Sequence, residues 1–164
     1  MNQAEEIMNM QMMRVDAAPD SDVLKQLLDA DVLKALGLKK DDLDVGLKLA
    51  GIKVRSGNYE EAMKLYSSLL MFNPCDFRIY KGLASLCLET GDHDEALHFT
   101  SVMIALKPMD PLGYYLSARA CLLLGHLDEA REDLADAMAR IGDGGDARLL
   151  EGCRKLTLLL VPAK

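Results

Sequence analysis

Four cysteines and three histidines are the first candidates for metal, redox or nucleophilic chemistry in this chain of 164 residues. The cysteines lie 12, 34 and 32 positions apart, at Cys75, Cys87, Cys121 and Cys153, so no C-x-x-C motif exists. The histidines, at His93, His98 and His126, form no H-E-x-x-H pattern, and the two that lie in turns are expected to be solvated. The spacing therefore predicts no metal site, and Cys87 and Cys121 are expected to be buried structural thiols.

Paired carboxylates are the second candidate, because two neighbouring acids can divide general acid and base work between them. Glu60-Glu61 and Asp128-Glu129 each fall at the predicted start of a helix, where anions stabilise the positive helix end. Gly142-Asp-Gly-Gly145 follows a predicted helix rather than a strand, which excludes a phosphate-binding loop. No nucleophile–base pair remains, so we expect neither an enzyme nor a bound cofactor.

Glycines recurring every 34 residues, at Gly57, Gly91 and Gly125, are the main signal in the sequence. Each opens the same phrase: Gly57-Asn-Tyr-Glu-Glu-Ala62, Gly91-Asp-His-Asp-Glu-Ala96 and Gly125-His-Leu-Asp-Glu-Ala130. The glycine suits a tight turn between two antiparallel helices, and the alanine suits their close crossing. This spacing resembles the tetratricopeptide repeat and predicts an all-α solenoid of three helix hairpins.

The repeat register predicts the domain organisation. Repeats are expected at 43–76, 77–110 and 111–144, after an N-terminal helical leader over 1–42 and before a C-terminal capping helix and tail over 145–164. The side chains of Asp41, Asp76 and Asp110 are expected to cap the first helix of each repeat. Apolar residues at helical spacing, namely Leu149, Cys153, Leu156 and Leu160, predict that the last helix covers the end of the array.

Composition excludes several classes of partner. A formal net charge of −7 argues against binding nucleic acid, which requires a basic surface. The longest apolar run, 156–161, is far shorter than the roughly 20 residues that span a bilayer. Glu5 and Glu6 stand where a signal peptide would be positively charged. We therefore expect a cytoplasmic protein without stable membrane insertion.

The first helix of each tetratricopeptide repeat lines the concave side of the solenoid through six positions. In repeat one they are Asp44, Leu47, Lys48, Gly51, Val54 and Arg55; in repeat two Arg78, Lys81, Gly82, Ser85, Leu88 and Glu89; in repeat three Leu112, Tyr115, Leu116, Arg119, Leu122 and Leu123. These positions carry five cations and two anions, against five cations and thirteen anions in the rest of the repeats. They predict a mildly basic, partly apolar groove for an extended peptide. Alternatively, Leu116, Leu122 and Leu123 pack under neighbouring helices as core residues.

Eukaryotic cochaperones of this fold grip C-terminal carboxylates with Lys and Asn at fixed positions of the first helices. Those positions here hold Leu47, Gly51, Gly82, Leu112 and Leu116. A clamp of that kind cannot form from these side chains.

The leader is rich in methionine, which adapts to irregular apolar partners. It contains the residues predicted for a homodimer contact: Ile7, Met8, Met12, Leu24, Leu27 and Leu28. Contact with a hydrophobic client and a leader that contacts neither remain open alternatives.

Three stretches, 32–38, 40–62 and 73–84, resemble the bacterial type III secretion chaperones of the translocator proteins, the tetratricopeptide or class II group. The resemblance covers roughly residues 32–160. Many of these chaperones carry aromatic residues on the first helix of repeat one, where this chain has Leu47, Gly51 and Val54.

The resemblance implies a function. Such chaperones keep pore-forming translocator subunits soluble in the bacterial cytosol, take an extended proline-containing client segment into the concave groove, and often dimerise through their N-terminal helices. Two alternatives stay open at this point. A chaperone of the needle subunit would bind an amphipathic helix in the groove, and an adaptor between two regulatory proteins would hold no client soluble.

Overall fold

A computed structural model describes residues 40–142 and 145–160. Those ranges contain the helices α1 (Lys40–Arg55), α2 (Tyr59–Phe72), α3 (Phe77–Thr90), α4 (His93–Leu106), α5 (Pro111–Leu124), α6 (Leu127–Ile141) and α7 (Ala147–Leu159). The first six helices form three hairpins, each helix packs on the next, and α7 packs on α5 and α6. The prediction of an all-α solenoid of three hairpins with a C-terminal capping helix is confirmed.

The turn within each hairpin depends on its glycine. Gly57, Gly91 and Gly125 have φ values of 76°, 89° and 82°, in the left-handed region that side chains with a Cβ resist. At all three turns the chain closes back on the preceding helix, and in the first the amide of Asn58 donates to the carbonyl of Lys53 over 2.9 Å. The amide of Asp92 donates to the carbonyl of Cys87 over 2.9 Å, and that of His126 donates to Cys121 over 2.8 Å.

Aspartates start the second and third repeats as predicted. Asp76 accepts a hydrogen bond from the amide of Arg78 over 2.9 Å, and Asp110 accepts one from the amide of Leu112 over 3.0 Å. The predicted cap at Asp41 is wrong, because α1 begins at Lys40 and Asp41 therefore lies within the helix.

Small and sulfur-containing side chains fill the space between the two helices of each hairpin. Ala62, Ala96 and Ala130 are fully buried, as their position at the predicted crossing requires. Cys87 and Cys121 are buried at corresponding positions of α3 and α5. Burial raises the pKa of the Cys87 thiol to about 11, so both the packing and the protonation agree with the predicted structural role.

The last helix closes the C-terminal end of the array. Asp146 caps α7 by accepting from the amides of Arg148 and Leu149. Cys153 and Leu160 are buried in a cluster with side chains of α5 and α6, and the Arg131 guanidinium donates to the Leu160 carbonyl over 3.1 Å.

The opposite end of the described array carries exposed apolar side chains. Val45, Leu49 and Ile52 form one stripe along α1 and are 64%, 42% and 52% exposed. One repeat later, the corresponding stripe of α3 is buried, with Ile79, Leu83 and Leu86 each at most 1% exposed, and α2 is the preceding helix that packs on α3. No helix precedes α1 among the described residues.

Several predictions concern residues outside the described ranges. The proposed dimer contacts Ile7, Met8, Met12, Leu24, Leu27 and Leu28 belong to this group, as does the leader over 1–39. They stay predictions. Within the described ranges, no helix is both long enough and apolar enough to cross a bilayer.

Candidate functional site

A cavity of about 530 Å³ opens between α1 and α3, with mostly apolar walls. It is lined by Asp44, Leu47, Lys48, Gly51, Val54, Arg55, Tyr66, Arg78, Lys81, Gly82 and Ser85. The set includes all six groove positions named from the sequence for repeat one and four of the six for repeat two. We call it the repeat-one cavity. That a peptide occupies it stays a prediction.

Two glycines in the wall have opposite environments. A Cβ placed on Gly51 would meet only the Arg55 guanidinium, at 3.5 Å, so the missing side chain leaves open space. A Cβ placed on Gly82 would lie 2.4 Å from two ring carbons of Tyr66. Gly51 therefore enlarges the cavity, whereas Gly82 makes room for the tyrosine ring.

Arg78 joins the first two repeats at the cavity's edge. Its guanidinium lies 2.6 Å from Asp76 Oδ2 and 2.6 Å from Asp44 Oδ1, and Asp44 belongs to α1. These hydrogen bonds, first to Asp76 and then to Asp44, raise the pKa of Arg78 above its usual value. Two carboxylates thus already surround the Arg78 charge, which acts as a link between α1 and α3.

The other cations of the repeat-one cavity have no such compensation. Within the described residues, Lys48, Arg55 and Lys81 have no carboxylate within salt-bridge distance. Asp44, the one carboxylate in the lining, is already engaged by Arg78. The cavity consequently combines apolar walls with an uncompensated positive charge.

Tyr66 is the lining residue that the sequence reasoning missed. It comes from α2, is only 7% exposed, and packs its ring against the backbone of Gly82. Burial raises the pKa of its phenol, and the nearby positive charge of Arg55 opposes that effect. Among the described residues its hydroxyl has no hydrogen-bond partner. The corresponding positions of α4 and α6 hold Thr100 and Leu134, so the repeat itself gave no signal for a phenol.

Other predicted groove residues lie in the core. Leu88 and Leu116 are 7% and 4% exposed and belong to one buried cluster, against which Leu112 also packs. The structure thus differs from an open groove at these positions. The alternative assignment to the core is the right one for Leu116.

The remaining repeat-three positions are outside the repeat-one cavity. Tyr115 packs on α7, because a Cβ on Gly152 would lie 2.9 Å from its hydroxyl oxygen. Leu122 packs against the C-terminal cluster, Arg119 is half-buried and Leu123 is exposed. The capping helix therefore covers part of the predicted groove. Glu89 is exposed but does not line the cavity.

The candidate metal ligands are dispersed. Among the described residues, no three His, Cys, Asp or Glu side chains come together as a metal site. His93 differs from the expected solvated residue, since it is the first residue of α4 and its Nδ1 is buried without a hydrogen-bond partner.

Three hairpins at an interval of 34 residues, with a left-handed glycine in each turn, define the tetratricopeptide-repeat fold. The family model described as tetratricopeptide repeat matches residues 55–120. No curated protein matches the sequence significantly.

Among solved structures, the chain is similar to the type III secretion translocator chaperone SycD of Yersinia enterocolitica, at 24% identity over 80% of this chain and 96% of that chain, with a TM-score of 0.70. SycD in complex with a peptide of the translocator YopD matches at 25% identity over 74% and 96% of the two chains, with a TM-score of 0.66. PcrH from Pseudomonas aeruginosa matches at 22% identity over 75% and 94%, with a TM-score of 0.71. The resemblance to translocator chaperones that the sequence predicted is confirmed at the level of the fold.

Proposed function

We propose that this protein is a type III secretion chaperone that binds a hydrophobic translocator protein and keeps it soluble and competent for secretion. The observation that carries the proposal is the open, mostly apolar cavity between α1 and α3. It occurs in a fold shared with a translocator chaperone that has been solved with a peptide of its translocator.

The mechanism is stoichiometric masking rather than catalysis. A client side chain buried in the cavity contributes about 1.5–3 kcal/mol by leaving water. Binding to the client's accessible form then lowers the concentration of the aggregation-prone species by mass action. The uncompensated cations of the cavity favour encounter with negatively charged segments. We place this activity in the bacterial cytoplasm, before export.

Co-expression tests the proposal. Proteins that co-purify with the chain from its native bacterium are identified by mass spectrometry, and each hydrophobic candidate is then expressed alone and together with the chain. A chaperone moves the client from the insoluble to the soluble fraction at a fixed stoichiometry. An unchanged soluble fraction for every candidate would refute the chaperone function and favour an adaptor.

A pair of variants ties solubility to the repeat-one cavity. Gly51→Leu places a branched apolar side chain in the cavity, at a position where a Cβ meets only the Arg55 guanidinium, at 3.5 Å. Ala135→Leu adds a leucine on the exposed side of α6 and is the control. We expect Gly51→Leu to lose client solubilisation while Ala135→Leu retains it. Equal solubilisation by both variants would place the binding site elsewhere.

The homodimer is a separate part of the proposal. Removing residues 1–20, which include Ile7, Met8 and Met12, should convert a dimer to a monomer in sedimentation experiments. An unchanged sedimenting mass would remove these residues from the dimer contact.

A further inference from the structure

We propose that the repeat-one cavity recognises an acidic side chain that neighbours an apolar anchor in the client segment, with the Tyr66 hydroxyl donating a hydrogen bond to the carboxylate. This inference rests on the proposed function and specifies the chemistry of the segment bound. An apolar pocket alone would accept any segment of suitable size, whereas the residues around this cavity supply donors for one anion.

Tyr66 is the first observation. A phenol that is more than nine-tenths buried ordinarily places its hydroxyl on a protein acceptor, because an unpaired buried donor costs free energy. Tyr114 is 8% exposed and donates to the carbonyl of Pro108 over 3.2 Å, and the half-buried Tyr80 donates to the carbonyl of Pro74 over 2.8 Å. Tyr66 has no acceptor among the described residues and lines the cavity. Solvent reaches this hydroxyl, so an acceptor that enters the cavity can take the place of water there.

The charge of the lining identifies that acceptor as an anion. Lys48 and Lys81 face the cavity from α1 and α3, and Arg55 lies close enough to Tyr66 to influence its ionisation. No described carboxylate compensates any of the three cations. A neutral amide would satisfy the hydroxyl but leave the positive charge, whereas a carboxylate satisfies both.

Apolar contacts place the rest of the segment. Leu47, Val54 and the open space at Gly51 provide a surface for an aliphatic side chain beside the carboxylate. Arg78 takes no part in recognition, because its two carboxylate partners already hold it. The sequence also lacks the Lys and Asn set that grips a chain terminus, so the carboxylate belongs to an internal Asp or Glu.

Fluorescence anisotropy with paired synthetic peptides tests the inference. The probes are ten-residue extended peptides with both termini blocked, a central leucine, and either Glu or Gln at each neighbouring position in turn. At low salt we expect one Glu peptide to bind about tenfold more tightly than its Gln partner, the effect of one charge-assisted hydrogen bond. The preference should shrink in 0.5 M salt, since screening weakens the cationic contribution.

Variants connect the preference to the named side chains. Tyr66→Phe keeps the ring against Gly82 and removes only the hydroxyl, so it should reduce the Glu preference while leaving the melting temperature nearly unchanged. Lys81→Gln should reduce the preference and its salt dependence together. Lys64→Gln, on the exposed surface of α2 and outside the cavity, is the control and should change neither.

The outcomes separate this inference from the proposed function. Equal affinity for Glu and Gln peptides, or a Glu preference that survives both cavity variants, would overturn the acidic specificity while leaving the cavity as a client site. A gain in affinity only when the peptide's C-terminus is free would also overturn it. Failure to bind any probe, although the chain still solubilises its client, overturns this inference alone; loss of client solubilisation as well overturns both.

Discussion

The same substitution at two glycines of the repeat-one cavity should have opposite effects on stability. Alanine at Gly51 meets only the Arg55 guanidinium at 3.5 Å, so it gains the helix preference of alanine over glycine, about 0.5–1 kcal/mol. Alanine at Gly82 gains the same preference but places its Cβ 2.4 Å from Tyr66 Cε1 and Cζ. An ordinary contact exceeds 3.4 Å, so the ring must move by about 1 Å, and overpacking of this kind costs about 1–3 kcal/mol.

We therefore expect Gly82→Ala to lower the free energy of unfolding by about 0.5–2 kcal/mol and Gly51→Ala to raise it by about 0.5–1 kcal/mol. For a chain of this size, each kcal/mol shifts the melting temperature by about 3 °C, so calorimetry should separate the two variants by about 3–9 °C. The double variant Gly82→Ala/Tyr66→Leu should recover part of the loss, because leucine at position 66 is smaller and leaves room for the Cβ at position 82. If the single variant Gly82→Ala is more stable than the unaltered protein, Gly82 does not provide the space that the Tyr66 ring occupies.

Two further predictions concern charge. Replacing Arg78 by Met removes its contacts with Asp44 and Asp76; because the guanidinium is half-exposed, we expect a loss of only about 1 kcal/mol by urea unfolding, smaller in 1 M salt. Lys64→Met breaks a fully exposed pair and should show no such loss. The Cys87 thiol has an ordinary pKa of 9.0 and about 11 in the fold, so the folded state retains a proton that the unfolded state releases. The contribution of Cys87 to the free energy of unfolding should be fully present below pH 9 and be lost toward pH 11. The free energy of unfolding should therefore fall less steeply with pH in Cys87→Ala, and an equal slope in both proteins would contradict this.

The sequence was sufficient for the fold because its signals are local. A left-handed glycine, a crossing alanine and a capping aspartate each act within a few residues, and three copies at a fixed interval make the register unambiguous. Asp41 was misjudged because α1 begins at Lys40, so Asp41 lies within the helix and not at its start.

The site was harder to predict because its features depend on contacts between repeats. Position within the repeat identified the cavity's side of α1 and α3, but it could not identify Tyr66, which reaches the cavity from α2 only because Gly82 has no side chain. Nor could it reveal that Asp44 neutralises Arg78, a pairing between residues 34 positions apart. Tyr115 was predicted to line the groove, but it packs on α7, a helix outside the repeats.

The exposed stripe of Val45, Leu49 and Ile52 should make local unfolding easier at the first hairpin than at the other end of the described array. In a one-dimensional array each hairpin owes much of its stability to apolar surface buried against its neighbours, and the stripe of α1 is 42–64% exposed. Backbone amides of α1 should therefore exchange with deuterium sooner than those of α3, whose equivalent stripe is sealed on both sides. Since α1 forms one wall of the repeat-one cavity, fraying of α1 would open that wall first and leave the second and third hairpins intact.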